Sequence, residues 1–320
     1  MTMSSVNPAN GSIIHVFDTW DHGRIEKALA LAERSFAAWS VQGFERRAAC
    51  LHKAADLLHH RREHYAGIIT LEMGKLHREA LAEIDKCAWG CEYYADNAAL
   101  FLADEPVETE AAKSAIVYQP LGCVLAIMPW NFPFWQVFRF AAPALMAGNT
   151  VLLKHASNVP HCAQAIEEVL RDAGVPEGVF QSMLVTADKV EAVIADRRVS
   201  AVTLTGSDAA GRAVAAAAGT HLKKAVLELG GSDAFVVLED ADLDRTVEQA
   251  VVARFQNAGQ SCIAAKRFIV VDAIADRFVA RFRDAVQALR HGDPMNEATT
   301  IGPLARVDLR DALHEQVSAS

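Results

Sequence analysis

The feature that most limits the fold of this chain is an alternation of short apolar strands with helices, running from about residue 115 to residue 290. Val151-Leu152-Leu153, residues 179–185, residues 201–204 and Ala225-Val226-Leu227 read as strands, and 160–173, 187–196 and 208–218 read as the helices between them. Strands joined by helical crossovers return to the same end of the sheet, so they run parallel, and the crossovers cover both faces. The fold class is therefore α/β, with a Rossmann-type parallel sheet whose ligands bind at the carboxyl ends of the strands. After Gly231 the pattern restarts with a strand at 234–238, a helix at 243–256, a strand at 268–271 and a helix at 275–290, which reads as a second α/β unit. Upstream, residues 23–103 are helical: Ala28, Leu31, Ala32 and Phe36 recur at helical spacing, as do Leu51, Ala54, Leu57 and Leu58. Residues 115–118 and 123–127 flank Gln119-Pro120-Leu121-Gly122 and read as strand, turn and strand.

Length and charge exclude some functions. A chain of 320 residues has room for two domains with a sizeable core. Its net charge of −9 argues against non-specific nucleic-acid binding. No apolar run reaches the length of a membrane span, and Met1-Thr2-Met3-Ser4-Ser5 opens no secretory signal. The six cysteines form no CxxC pair, and Cys87 and Cys91 share a helix face that suits a core better than a metal. No metal is expected, and the setting reads as reducing and cytoplasmic. His59, His60 and His64 with Arg61 and Arg62 read as a solvated helix face.

Five short motifs carry chemistry. Glu228-Leu229-Gly230-Gly231 offers a carboxylate that can act as a general base, and Gly259-Gln260-Ser261-Cys262 a thiol that can act as a nucleophile. In Pro129-Trp130-Asn131-Phe132-Pro133 two prolines fix the backbone around an amide suited to stabilising an oxyanion; the same Asn could simply cap the following helix. Lys154, at a strand's carboxyl end, is placed to reach a ribose hydroxyl or phosphate, or else is a solvated lysine. Thr205-Gly206-Ser207 opens a helix containing Gly211, whose free N–H groups and dipole suit a pyrophosphate, although this is not a GxGxxG fingerprint. Singly, each has a bland structural reading.

Together, in this order and at these spacings, the motifs resemble the NAD(P)-dependent aldehyde dehydrogenase superfamily, over essentially the whole chain. Glu228-Leu229-Gly230-Gly231-Ser232-Asp233 and Ala264-Ala265-Lys266-Arg267-Phe268 resemble its bacterial succinate-semialdehyde dehydrogenase branch. The resemblance implies residues 1–103 and 121–229 as the NAD(P)-binding domain, 104–120 as part of an oligomerisation hairpin, and 230–320 as the catalytic domain. It implies Cys262 as nucleophile, Asn131 as oxyanion donor and Glu228 as the base that activates water. Trp130, Lys154, Ser157, Gly206, Ser207 and Gly211 are implied to bind the cofactor, and Arg139 to grip a substrate carboxylate. Many NAD-specific relatives carry Glu where this chain has Ser157, so NADP is expected to be accepted alongside NAD.

The resemblance also shows departures. A second substrate Arg of some relatives is replaced by Gln256, and Ala264 rules out a Cys-x-Cys redox switch. Family members continue well beyond Ser320, so the catalytic domain is expected to be incomplete, with Leu309, Leu313 and Val317 forming an apolar stripe on a terminal helix. The expected partners are a small aldehyde, with no nucleic acid and no membrane, and a homo-oligomer in the full-length form. The alternatives are a dinucleotide-binding fragment that does not turn over, a dehydrogenase of another small aldehyde, and a phosphorylating or CoA-acylating relative.

Overall fold

The computed structural model describes residues 2–320. In chain order, β1 (Thr2–Val6) and β2 (Ile13–Asp18) precede α1 (His22–Trp39), α2 (Phe44–His60), α3 (Arg62–Met73) and α4 (His77–Phe101). Then come β3 (Glu105–Pro106), β4 (Ala115–Ile116), β5 (Cys123–Met128), α5 (Trp135–Met146), β6 (Thr150–His155) and α6 (Pro160–Asp172). They are followed by β7 (Phe180–Ser182), α7 (Val190–Ala195), β8 (Val199–Thr205), α8 (Asp208–Thr220) and β9 (Lys224–Glu228). Last are β10 (Asp233–Val237), α9 (Leu243–Phe255), β11 (Ala265–Val270), α10 (Asp272–Gln287) and α11 (Val307–Ala319).

Five strands form one parallel sheet in the order β7-β6-β5-β8-β9. The chain starts in the middle at β5, winds outward to β7, then crosses back to β8 and β9. The order therefore reverses beside β5, and the carboxyl ends of β5, β6 and β8 open a crevice there. β5 and β6 are almost wholly buried because both faces are covered, which is why they read as continuous apolar runs. One face packs on α2, α3, α4, α5 and α6 through Leu51, Ile69, Ile84, Phe134, Phe138 and Leu145. The other packs on α1, α7 and α8 through Leu29, Leu125, Leu152, Ile194, Val202 and Val214.

Two expectations need correction. The strand expected at 115–118 shortens to β4, and it does not pair with β5 across Gln119–Gly122. β4 pairs antiparallel with β3, with Glu105 opposite Ile116, while β5 is the centre of the parallel sheet. The local turn signature was real, but the pairing partner lies upstream. Residues 2–18, to which no structure was assigned, form the antiparallel pair β1–β2. The strand expected at 179–185 shortens to β7.

The second unit is sparse. β10 and β11 make a two-stranded parallel pair. Their core is Val237, Leu243, Val247, Ala250, Ile274 and Phe278, with Phe235, Phe268 and Phe282 packed against it. α11 forms where the apolar stripe falls, yet none of its residues is buried.

Candidate functional site

Cys262 sits in the turn between α9 and β11. Of the six cysteines five are buried and Cys262 is half-buried, so it alone is open to a reactant. Burial pushes the Cys123 thiol up to about 12 and raises Cys50, Cys87, Cys91 and Cys162 as well, keeping them inert thiols. Cys262 lines a cleft of ≈ 600 Å³ with Phe132, Gln136 and Arg139 from the segment after β5, and Arg78, Glu79 and Lys86 from α4.

The turn before Cys262 is wound against its natural hand. Asn257 (φ 56°, ψ 38°) and Ala258 (φ 53°, ψ 33°) are both left-handed, and Gly259 follows at φ 75°. For non-glycine residues this conformation costs about 1–2 kcal/mol each, so the surroundings must impose it. At Gly259 a Cβ would lie 3.2 Å from the Arg254 carbonyl oxygen on a positive-φ backbone, a place that favours glycine. The Asn257 side chain is buried and donates from Nδ2 to the Asn131 carbonyl at 2.7 Å and to that of Gln260 at 3.2 Å. Gln260 Nε2 donates back to the Asn257 carbonyl at 3.1 Å, and its Oε1 accepts from Ala305 N at 2.9 Å.

Asn131 is held in the same web. Its Nδ2 donates to the Gln260 carbonyl at 3.0 Å, two residues before Cys262. An amide nitrogen carries two N–H donors, so one remains for a ligand. The arm that carries Asn131 is anchored from beneath. Glu83 accepts from Phe134 N at 2.9 Å and Trp135 N at 3.0 Å, supplying the cap that the α5 sequence lacks. Its other oxygen meets Lys75, whose Nζ lies 3.8 Å from the centre of the Phe132 ring. Buried His155 donates from Nε2 to the Pro133 carbonyl at 2.9 Å and accepts at Nδ1 from Ala156 N at 2.9 Å, tying the end of β6 to the same arm.

Glu228 is placed differently. It ends β9, is exposed, and lies in a neighbouring cleft of ≈ 660 Å³ that shares Arg139 with the first. Arg139 Nη1 stands 3.9 Å from Glu228 Oε2, and Nη2 donates to Thr205 Oγ1 at 3.4 Å. The structure thus brings Asn131 and the Cys262 turn into contact and links Glu228 to the Cys262 cleft through Arg139. Two interactions leave the five-donor guanidinium with N–H groups to spare.

The expected cofactor residues line the strand ends. Trp130 packs half-buried on the core beyond β5. Lys154, the last residue but one of β6, has its ammonium largely desolvated, burial holding it below the usual lysine range, and among the described residues no carboxylate forms an ion pair with it. A desolvated, unpaired ammonium fits an anionic or hydroxyl-rich ligand. Ser157 is exposed on the loop after β6, in a ≈ 1210 Å³ cleft with Asn158 and Thr186. Both amide atoms of Asn158 are buried without a hydrogen-bond partner among the described residues, which also fits a polar ligand there. Ser207 caps α8 by accepting from Ala210 N at 3.3 Å, leaving the remaining first-turn N–H groups for a phosphate. Gly206 N donates to the Glu228 carbonyl at 3.0 Å. At Gly211 a Cβ would fall 2.6 Å from the end of the Leu229 side chain, which would have to shift to admit it.

Sequence reasoning located these motifs but missed Glu79, Glu83, Lys75, His155 and the linking role of Asn257. Acidic residues four apart on a helix read as a solvated face, and only the fold turns these two inward.

Compared with known families, the chain matches the aldehyde dehydrogenase family over residues 1–320. It is 53% identical over 317 residues to a Synechocystis protein named probable succinate-semialdehyde dehydrogenase (NADP+), covering 99% of this chain and 70% of that one. It is 49% identical over 320 residues to succinate-semialdehyde dehydrogenase (NADP+) 1 of Mycobacterium bovis, with 99% and 70% covered. Its structure superposes with a TM-score of 0.97, at 39% identity, on succinic semialdehyde dehydrogenase from Streptococcus pyogenes solved with NADP+, again covering 99% and 70%.

Proposed function

The chain belongs to the aldehyde dehydrogenase family, and from that premise we propose that it oxidises succinate semialdehyde to succinate with NADP as the preferred acceptor and NAD as the lesser one. The observation that carries the reading is the contact between Asn131 and the turn ending in Cys262, in a cleft that also holds Arg139. These relatives favour turnover over a fragment that only binds dinucleotide.

Each residue's task follows from its chemistry. The Cys262 thiolate attacks the aldehyde carbon, forming a C–S bond and an oxyanion. The free Asn131 N–H and the Cys262 backbone N–H stabilise that charge. A bound nicotinamide ring would supply the hydride acceptor whose reduction leaves the Cys262 sulfur in a thioester. Trp130, Lys154, Ser157 and the α8 N-terminus with Gly206, Ser207 and Gly211 would hold the dinucleotide, and Ser157 leaves room for a 2′-phosphate that an acid would repel. Glu228 takes a proton from the water that hydrolyses the thioester, and its exposure leaves the side chain free to swing past Arg139. Arg139 grips the substrate carboxylate, fixing a short semialdehyde with its other end at the thiol. Residues 1–103 and 121–229 serve as the cofactor domain and 230–320 as the catalytic one.

A homo-oligomer belongs to the same reading. Trp89, Tyr93 and Leu100 expose an apolar stripe along α4 of the kind that self-association covers. A cytoplasmic location fits a reaction that needs a free thiol, and no helix among the described residues is long and apolar enough to cross a membrane.

The test is NADPH formation from a panel of short aldehydes. Succinate semialdehyde should be the best substrate, and Arg139→Ala should raise its KM more than that of an uncharged aldehyde. Ser157→Glu should lower kcat/KM for NADP by about tenfold or more, roughly 1.4 kcal/mol, while sparing NAD. Parent kcat/KM for NADP more than about tenfold below that for NAD would discard the cofactor preference.

A further inference from the structure

α4 holds both arms of the site from one face. Glu83 accepts the backbone N–H groups of Phe134 and Trp135, at the root of the arm that carries Asn131. One helical turn earlier, Glu79 reaches the other arm. The Asn257 backbone N–H donates to its carboxylate, 3.2 Å from Oε2 and 3.4 Å from Oε1. The two residues are 178 apart in sequence, so no local preference brings them together. Asn257 is where the left-handed turn begins, and its N–H has no other acceptor among the described residues. Its side chain then bridges to the Asn131 carbonyl. Glu79 itself lines the Cys262 cleft, half-buried, beside Lys75, Arg78 and Glu83.

We propose that Glu79 is a positioning residue for the nucleophile: its carboxylate holds the first N–H of the strained turn and so fixes where Cys262 stands relative to Asn131. This rests on the reading of Cys262 and Asn131 given above. The physical argument is that three consecutive left-handed residues, two of them not glycine, relax unless their N–H and C=O groups are claimed from outside the turn. Glu83 fixes the opposite arm, so the spacing between the two carboxylates on α4 becomes the spacing between amide and thiol.

The role makes a demand that bulk stability does not. It needs an acceptor at Asn257 N–H and has no use for the negative charge. Glu79→Ala removes the acceptor while keeping a strong helix former in α4. Glu79→Gln keeps a carbonyl oxygen in place. Two readouts separate this inference from the reading beneath it. The first is hydrogen exchange of the peptide spanning residues 256–262, which needs no turnover; the second is steady-state kinetics. Glu79→Ala should speed exchange in 256–262 by about tenfold, with β5 unchanged, and lower kcat by about tenfold while KM for NADP stays within about twofold. Glu79→Gln should restore both to within about twofold of the parent. Exchange of 256–262 in Glu79→Ala as slow as in the parent would overturn the proposal, and so would a Gln variant as impaired as the Ala one. A parent chain that oxidises no aldehyde would instead discard the functional reading, and the exchange data would still decide whether Glu79 holds the turn.

Discussion

Asn131 and the turn that ends in Cys262 meet through a third side chain, Asn257, which donates to the Asn131 carbonyl at 2.7 Å. A half-buried thiol among five buried ones, and an amide against the turn that carries it, are both named by short motifs. The relation between them was not legible, because the side chain joining them, Asn257, meets an acceptor 126 residues away. Asn131 donates one N–H to the Gln260 carbonyl, and in the proposed mechanism the other serves the oxyanion. Losing one oxyanion donor costs about 3 kcal/mol of transition-state stabilisation, so Asn131→Ala should lower kcat by roughly 10²–10³-fold. Asn131→Asp offers a test of sign: it preserves size but replaces the donor with an acceptor that repels the developing charge. It should fall at least as far as the alanine. Turnover of either variant within about threefold of the parent would remove Asn131 from the oxyanion role.

At the level of elements, alternation marked out the parallel sheet, while β3 and the β1–β2 pair escaped. β3 is only two residues, too short to show a period, and nothing local marks it as the partner of β4. Strand order was not legible either, since which strand lies beside β5 depends on how whole helices pack. His155 illustrates the same limit. Its sequence position marks only a strand end, yet it joins β6 to the arm before α5. Burial, with Lys154 adding to it, pushes its pKa down from 6.5 to about 4. The unfolded chain therefore takes up a proton near pH 6.5 while the folded one does not until about pH 4. Stability is unaffected above the unfolded value and is lost as pH falls through that window, by about 2 kcal/mol at pH 5 and about 3 in all. Urea titrations between pH 7 and 4.5 should show this slope in the parent. His155→Leu should start less stable, because the Pro133 carbonyl loses its donor, but should follow a flatter profile. Parallel profiles for the two proteins would mean that His155 is not the group that titrates.

The whole molecule is built unevenly, and this has a measurable consequence. The sheet of β5 to β9 is packed on both faces by large clusters in which Leu51, Ile69, Phe138, Leu125 and Leu152 are almost wholly inaccessible. β10 and β11 rest on one small cluster, and Val236, Leu238 and Ile269 along them are exposed. Each fully buried aliphatic or aromatic side chain contributes about 1.5–3 kcal/mol, so the second unit holds far less of what opposes unfolding. Yet this unit carries Cys262, while Asn131 belongs to the first. Asn257 and Gln260 join the Cys262 turn to Asn131 and Glu79, and elsewhere Arg78 and His77 of α4 donate to the Thr299 and Pro294 carbonyls. Local opening should therefore begin in the second unit and release the thiol from the amide before the first unit loosens. Amides of β10, β11 and α9 should exchange at least about 100-fold faster than those of β5 and β6, a gap of roughly 2.7 kcal/mol. A dinucleotide that bridges the strand ends and the Cys262 cleft should narrow the gap by stabilising the state in which both units are closed. If β10 and β11 exchange as slowly as β5 without any ligand, the two units open as one, and the thiol and the amide separate only on global unfolding.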